Sequence, residues 1–295
     1  MKLRKFKKSI MVALTATMIA GTVLTGCGND GNDGSGISAD SDITVIAREE
    51  GSGTRSAFVE LMGVVDADDK DITVSTAEIT SSTSVMLTTV KDNVSAIGYV
   101  SLGSLSDDVK AVKVDGVEAT AENVKNGSYK VSRPFNIAYK EDKLSDLAKD
   151  FISYIMSNEG QAIIEEEGYI AVGATESYTA SNLEGKVVLA GSTSVAPVME
   201  KLAEEYMKLN SGVTIEIQQS GSSAGMTSTI EDACDIGMAS RDVKDSEIAE
   251  GLTATKIAVD GIAVIVNKEN TFADDLTREQ IKGIYLGEIT TWSLK

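Results

Sequence analysis

Three short segments of this chain share one local design: a β-prone run, a turn of Gly, Ser and Thr, then a helix-prone run. They are Gly51-Ser52-Gly53-Thr54, Gly191-Ser192-Thr193-Ser194 and Gly221-Ser222-Ser223-Ala224-Gly225. Glycine lets consecutive backbone N–H groups converge without a Cβ in the way, and Ser and Thr add hydroxyl donors on short stems. A helix that starts at such a turn aims free N–H groups and the positive end of its dipole into the same space. One such turn is ordinary helix capping. Three of them facing one cleft would surround a small oxyanion with neutral donors. Arg48 ends the run before the first turn, and its planar fork suits two oxygens of one anion. Glu50 is the expected partner holding that guanidinium. Arg55, at the start of the following helix, is unfavourable to the dipole unless an anion is nearby.

What is missing narrows the chemistry further. The 295 residues contain no histidine, which excludes Ser-His-Asp and Cys-His nucleophilic catalysis and His-ligated zinc. A Ser nucleophile would then need another base, and no Ser-x-x-Lys site is evident, so a surface hydrolase is the weaker reading. No cofactor or metal site is expected: Asp66-Ala67-Asp68-Asp69 lacks the spacing of a calcium loop.

The elements that must position these turns follow from the pattern of apolar residues. Strands are predicted at 42–47, 96–100, 129–139 around Pro134, 186–190, 213–219 and 257–266, the last interrupted at Gly261. Helices are predicted from Ser56 to Met62, Ser84 to Val90, Leu144 to Glu167 with a break near Asn158, and Ala224 to Ile230. Val195, Val198, Met199, Leu202, Ala203, Tyr206 and Met207 form a single helical stripe. A closing helix is capped by Thr277 with Gln280 three residues on. Alternating strands and helices over this length predict an α/β body of two lobes.

The first 26 residues stand apart. Lys2, Arg4, Lys5, Lys7 and Lys8 precede an apolar run from Ile10 to Leu24 and then Leu24-Thr25-Gly26-Cys27. This is the pattern of a secretory leader, with Cys27 in the place of a lipidated cysteine. Residues 27–41, rich in Gly, Asn, Asp and Ser, read as a flexible tether from a lipid anchor at the extracytoplasmic face of the membrane. Taking the five cations of the leader from a formal charge of −18 leaves the body at −23. Such a field excludes nucleic acid as a partner, and any anion bound must be gripped by local dipoles. With Cys27 lipidated, Cys234 has no disulfide partner and is expected to be a small buried thiol.

Arg48-Glu49-Glu50-Gly51-Ser52-Gly53-Thr54 resembles the Arg-x-Asp/Glu-Gly-Ser-Gly-Thr turn of the phosphate-binding subunits of bacterial phosphate importers. Ala190-Gly191-Ser192-Thr193-Ser194 is similar to that family's first-strand loop, Gly221-Ser222-Ser223 to its second, and Asp235-Ile236-Gly237 through Ser240-Arg241 to its third. Ala96 to Ser101 and Gly287 to Trp292 are similar as well. The resemblance spans residues 42–295. It implies a two-lobed periplasmic-binding-protein fold of type II, each lobe a mixed sheet flanked by helices. It implies capture of inorganic phosphate between the lobes by Arg48, Ser52, Gly53, Thr54, Thr193, Ser194, Ser222, Ser223, Ser240 and Arg241. It further implies delivery to the membrane subunits of an ABC permease, and no catalysis.

Two departures from the family pattern stand out. The usual order is rotated, as in a circular permutation or a cut from a tandem gene. Residues 42–172 then supply mainly the second lobe, with their end returning to the first. Residues 173–184 form a linker between the old ends, and 185–295 supply mainly the first lobe and a hinge-crossing segment. The second departure is Arg241, which stands where many members carry an aspartate. Phosphate near neutral pH keeps a proton and sulfate does not, so discrimination needs an acceptor carboxylate. Asp242 and Glu50 are the expected candidates, and another tetrahedral oxyanion stays open as the ligand.

Overall fold

The computed structural model describes residues 36–174 and 176–294. The leader and Cys27 lie outside the described residues. In chain order the first stretch runs β1 (Thr44–Arg48), α1 (Gly53–Met62), β2 (Glu78–Thr80), α2 (Thr83–Asp92), β3 (Ala96–Ser101), β4 (Val109–Ala111), β5 (Lys113–Val114) and α3 (Ala121–Lys125). Next come β6 (Ser132–Tyr139), α4 (Asp146–Ile155), α5 (Asn158–Glu166) and β7 (Ile170–Ala171). The remainder is β8 (Gly185–Gly191), α6 (Ala196–Leu209), β9 (Val213–Gln219), α7 (Ser222–Ile230), β10 (Ile236–Ala239), α8 (Asp245–Ala249), β11 (Thr253–Asn267), β12 (Asp275–Leu276) and α9 (Arg278–Leu286).

Local chemistry explains the boundaries that matter. Leu147, Ala148, Phe151, Tyr154 and Ile155 give α4 one buried face at helical spacing. The break near Asn158 is the cap of Ser157, whose hydroxyl accepts from Gly160 N and opens α5. Thr277 and Gln280 form the reciprocal capping box of α9, and Gly287 closes that helix in the left-handed region. Gly261 does not interrupt β11. It pairs with Ser132, and a Cβ there would meet Val124 at 2.9 Å, so glycine serves close packing rather than a break.

Ten strands join in one sheet, in the order β2-β1-β3-β11-β6-β10-β8-β9, with β4 and β7 also on β11. The mainly apolar strand β11 spans two cores. Its first part, to Gly261, pairs antiparallel with β6, and Ile262 to Val266 pair antiparallel with β3. Ile257 and Ala258 belong to a core with Phe135, Phe151, Leu189, Leu202, Tyr206 and Ile236, which defines the first lobe. Ile262, Val264 and Val266 belong to a core with Phe58, Tyr99, Ile284 and Trp292, which defines the second. Beyond Gly261, Ile262, Val264, Val266, Ile284 and Trp292 therefore pack in the second core. Residues 176–184 form no helix or strand but are anchored, with Tyr178 Oη donating to Asp150 at 2.6 Å.

Where the lobes join, β6 and β11 carry a buried ion pair. Arg133 donates through Nε (3.2 Å) and Nη2 (3.0 Å) to Asp260 Oδ2, while Asp260 Oδ1 accepts from Ser101 Oγ (2.9 Å) and Leu102 N (3.1 Å). Burial pushes the Asp260 carboxyl up to about 6 against the pull of Arg133 and these donors. Removing one partner strands the other charge in the interior. Asp260→Asn is expected to cost ~3–5 kcal/mol in urea unfolding, whereas the double change Arg133→Met with Asp260→Asn recovers most of that loss. A single variant within about 1 kcal/mol of the parent would show that the pair carries no such constraint.

Candidate functional site

The parallel strands decide where the turns meet. β1 runs parallel to β2 and β3, and β8 runs parallel to β9 and β10. The loops after β1, β2, β8, β9 and β10 therefore leave from carboxyl ends of strands, the edge of an open α/β sheet where ligands are held. Two of these loops belong to the second lobe and three to the first, and the junction strands β6 and β11 bring the two sets face to face.

The three turns do converge. Thr54 Oγ1 lies 2.8 Å from Ser194 Oγ across the lobes. Ser223 N donates to Gly51 O at 3.0 Å, a backbone hydrogen bond from one lobe to the other. A Cβ on Gly53 would fall 2.4 Å from Ser222 Oγ and 2.8 Å from Ser240 Oγ, so only glycine lets the first turn approach the second and third loops. Gly51 (φ 84°) and Gly221 (φ 88°) hold left-handed conformations that shape the two turns. Ser52, Thr54, Thr193, Ser194, Ser222 and Ser240 are all buried.

Arg48 sits in the middle of this cluster and is 2% exposed. Its Nη2 donates to Thr193 Oγ1 at 3.0 Å in the opposite lobe, and its Nη1 to Thr83 Oγ1 at 3.4 Å. The backbone beneath it is fixed from several sides: Arg48 N donates to Tyr99 Oη at 3.1 Å, and Arg55 Nη1 donates to Arg48 O at 2.7 Å. Tyr99 stacks on Phe58 at 4.0 Å between ring centroids, and burial pushes its phenol far above the ordinary range, so it remains neutral. Arg55 also pairs with Asp71 at 2.6 Å. Burial raises the Asp71 carboxyl, but hydrogen bonds from Arg55 and Thr73 outweigh it, and the net pKa falls below the usual aspartate value. The anion that Arg55 requires is thus Asp71, and Arg55 buttresses the site rather than lining it.

The partner of Arg48 is Glu49, not Glu50. Arg48 donates from Nε to Glu49 Oε2 and from Nη2 to Glu49 Oε1, both at 2.8 Å. Glu50 is exposed, because the chain turns outward after Glu49 into the Gly51 bend. Asp242 is exposed too. Arg241 is buried and donates to Ser223 Oγ at 3.3 Å, but its fork is taken by Glu247, at 2.9 Å from Nη1 and 2.7 Å from Nη2. Arg241 and Ser223 therefore border the hydroxyl cluster instead of facing into its centre.

Thr83 is a member of the site absent from the sequence expectation. Its Oγ1 lies 3.2 Å from both Thr193 Oγ1 and Ser194 Oγ, at the first turn of α2, behind the cap of Ser82. Ser81-Ser82-Thr83 repeats the strand–turn–helix design, but β2 is three residues long and too short to register as a strand. Ser192 is the other addition: its Oγ donates to Ser240 Oγ at 2.9 Å and accepts from Ser194 N at 3.2 Å. Ser52 Oγ accepts from Arg55 N at 3.3 Å, which leaves its O–H free to donate. Many of these contacts are hydroxyl to hydroxyl, so the protons can rotate toward an acceptor placed among them. The arrangement offers donors from two lobes and one guanidinium.

The model of the PBP superfamily domain matches residues 17–159 and 176–294. "Phosphate-binding protein PstS 2" of Streptococcus agalactiae serotype V is 50% identical over 295 residues, covering 99% of each chain. The protein of the same description from Streptococcus pneumoniae serotype 4 is 46% identical over 292 residues, covering 98% of each. The chain belongs to the PstS phosphate-binding protein family. A solved structure, that of a phosphate-binding protein of a phosphate ABC transporter from Streptococcus pneumoniae TIGR4, superposes with a TM-score of 0.67 at 46% identity, covering 85% of this chain and 98% of that one. Because the streptococcal PstS alignments run nearly end to end, those relatives share this chain's order of elements.

Gly53 gives the geometry a direct test. Alanine suits the first position of α1, so Gly53→Ala should leave each lobe folded and obstruct only their approach. Hydrogen exchange is the readout: the Ser223 amide, bonded to Gly51 O across the lobes, should exchange at least about tenfold faster in the variant, while amides in β11 keep their protection. An unchanged Ser223 amide would mean that the turns do not meet through Gly53.

Proposed function

We propose that this protein captures inorganic phosphate between its two lobes and presents it to the membrane subunits of an ABC importer. The observation that carries this reading is the burial, in one cluster fed by both lobes, of hydroxyls from Thr54, Thr83, Thr193, Ser194, Ser222 and Ser240 around the guanidinium of Arg48. A tetrahedral oxyanion has acceptors in every direction and needs donors in every direction. Neutral donors supply them without a compensating excess of charge, which suits a chain whose formal charge is −18. The direct contacts are assigned to Arg48, Ser52, Gly53, Thr54, Thr193, Ser194, Ser222 and Ser240. Ser223 and Arg241 are assigned to the rim, where the Ser223 amide helps hold the lobes together.

The rest of the reading fits this role. A leader ending in Leu-Thr-Gly-Cys supports export and lipid anchoring at Cys27, and no described helix is long and apolar enough to cross a membrane. The tether expected over residues 27–41 does not extend to its last residues, because Ile37 packs against the second core and Trp292 N donates to Ser41 O. The absence of histidine supports binding without turnover. The order of elements, shared with the streptococcal relatives, joins both lobes through β11 and β6.

Isothermal titration of protein stripped of bound anion tests the reading. Heat of binding with phosphate, saturating at one equivalent, is expected. Arg48→Met should weaken phosphate by roughly 100-fold, the scale of losing charge-assisted hydrogen bonds in a buried site. No heat with phosphate would overturn the proposal.

A further inference from the structure

We infer that Thr83 is a positioning residue that latches the two lobes together by holding Thr193 and Ser194 of the first lobe against Arg48. Thr83 is the first residue of α2, placed there by the Ser82 cap, and it is buried. The helix that carries it is fixed to the second lobe, because Met86 and Val90 pack in one core with Ile46 of β1 and with Ala96 and Val100 of β3. Thr83 therefore moves with the second lobe, while both hydroxyls it meets belong to the first.

A hydroxyl has one proton to donate and two positions at which to accept. Arg48 donates from Nη1 to Thr83 Oγ1 at 3.4 Å, and Thr193 Oγ1 and Ser194 Oγ each lie 3.2 Å from it. Those neighbours use the whole capacity of Thr83 and leave none for a bound anion, so it acts through the residues it holds. The ties across the cleft from Arg48 to Thr193, from Thr54 to Ser194 and from Ser223 N to Gly51 O all end on the segment from Arg48 to Thr54. Thr83 adds support from a different helix, and the Thr193-Ser194 pair is gripped from both sides.

Contacts between Thr83 and the first lobe exist only while the lobes are together, and in an open form water serves each group instead. An apolar side chain at this position would leave Arg48 Nη1 and two buried hydroxyls short of a partner in the closed form alone. The closed form would then lose ground to the open one. An anion enters an open cleft and leaves when the cleft opens again, so the latch slows release and leaves entry unaffected. The inference rests on the phosphate reading only for what the closed lobes hold.

Hydrogen exchange of the Ser223 amide in anion-free protein, together with stopped-flow rates of phosphate entry and release, is the test. Thr83→Val should speed exchange of that amide at least about tenfold and phosphate release by a similar factor, with entry within about twofold of the parent. Thr83→Ala carries the same expectation should the valine fail to fold. Thr83→Ser, which keeps the hydroxyl, should stay within about threefold of the parent. Thr88→Val, which removes an exposed hydroxyl from the same helix, should match the parent. An unchanged Ser223 amide in folded Thr83→Val or Thr83→Ala, a serine variant as fast as the valine, or an equal effect of Thr88→Val would overturn this inference and leave phosphate capture standing. Faster release without faster exchange in the anion-free protein would make Thr83 an anion contact and overturn it as well. A parent that takes up no phosphate overturns the phosphate reading alone, since the exchange result decides the latch without it.

Discussion

A guanidinium buried at the end of a strand is the constraint around which this molecule is arranged. Arg48 is 2% exposed, in a position where a lone cation would be costly, and every neighbour answers that cost. Glu49 takes its fork, Thr83 and Thr193 accept its remaining donors, and Tyr99 and Arg55 hold its backbone. One of those acceptors comes from the opposite lobe. The satisfaction of Arg48 is therefore tied to closure of the cleft, and the same groups that satisfy it are those an oxyanion would meet.

The sheet makes this possible because its two parallel sets point their carboxyl ends at each other. β11 is the shared member, pairing with β6 in one lobe and β3 in the other, and the Arg133–Asp260 pair locks the crossing point to Ser101 and Leu102. What the site needs is strand ends meeting across the junction, and that depends on pairing, not on where the chain starts.

Much of this was legible in residue types. Gly51 to Thr54, Gly191 to Ser194 and Gly221 to Gly225 announced their turns because Gly and Ser are needed for close approach and capping, and the β9 strand and the Thr277 cap followed from alternation and the capping box. Less visible were features fixed by tertiary contact. Thr83 follows a three-residue strand whose pattern is too short to read. The choice of Glu49 over Glu50 depends on which way the chain turns before Gly51, and Arg241 looks like a ligand in sequence but has Glu247, six residues on, as a better partner. The interruption expected at Gly261 is instead the point where β11 passes from β6 to β3 and changes cores.

The most direct measurement is a crystal structure of the protein grown with phosphate. The account predicts one phosphate between the lobes, with oxygens within about 3.2 Å of Arg48 and of hydroxyls or amides from both the Gly51–Thr54 and Gly191–Ser194 turns. A phosphate bound to one lobe only, or held away from Arg48, would contradict it.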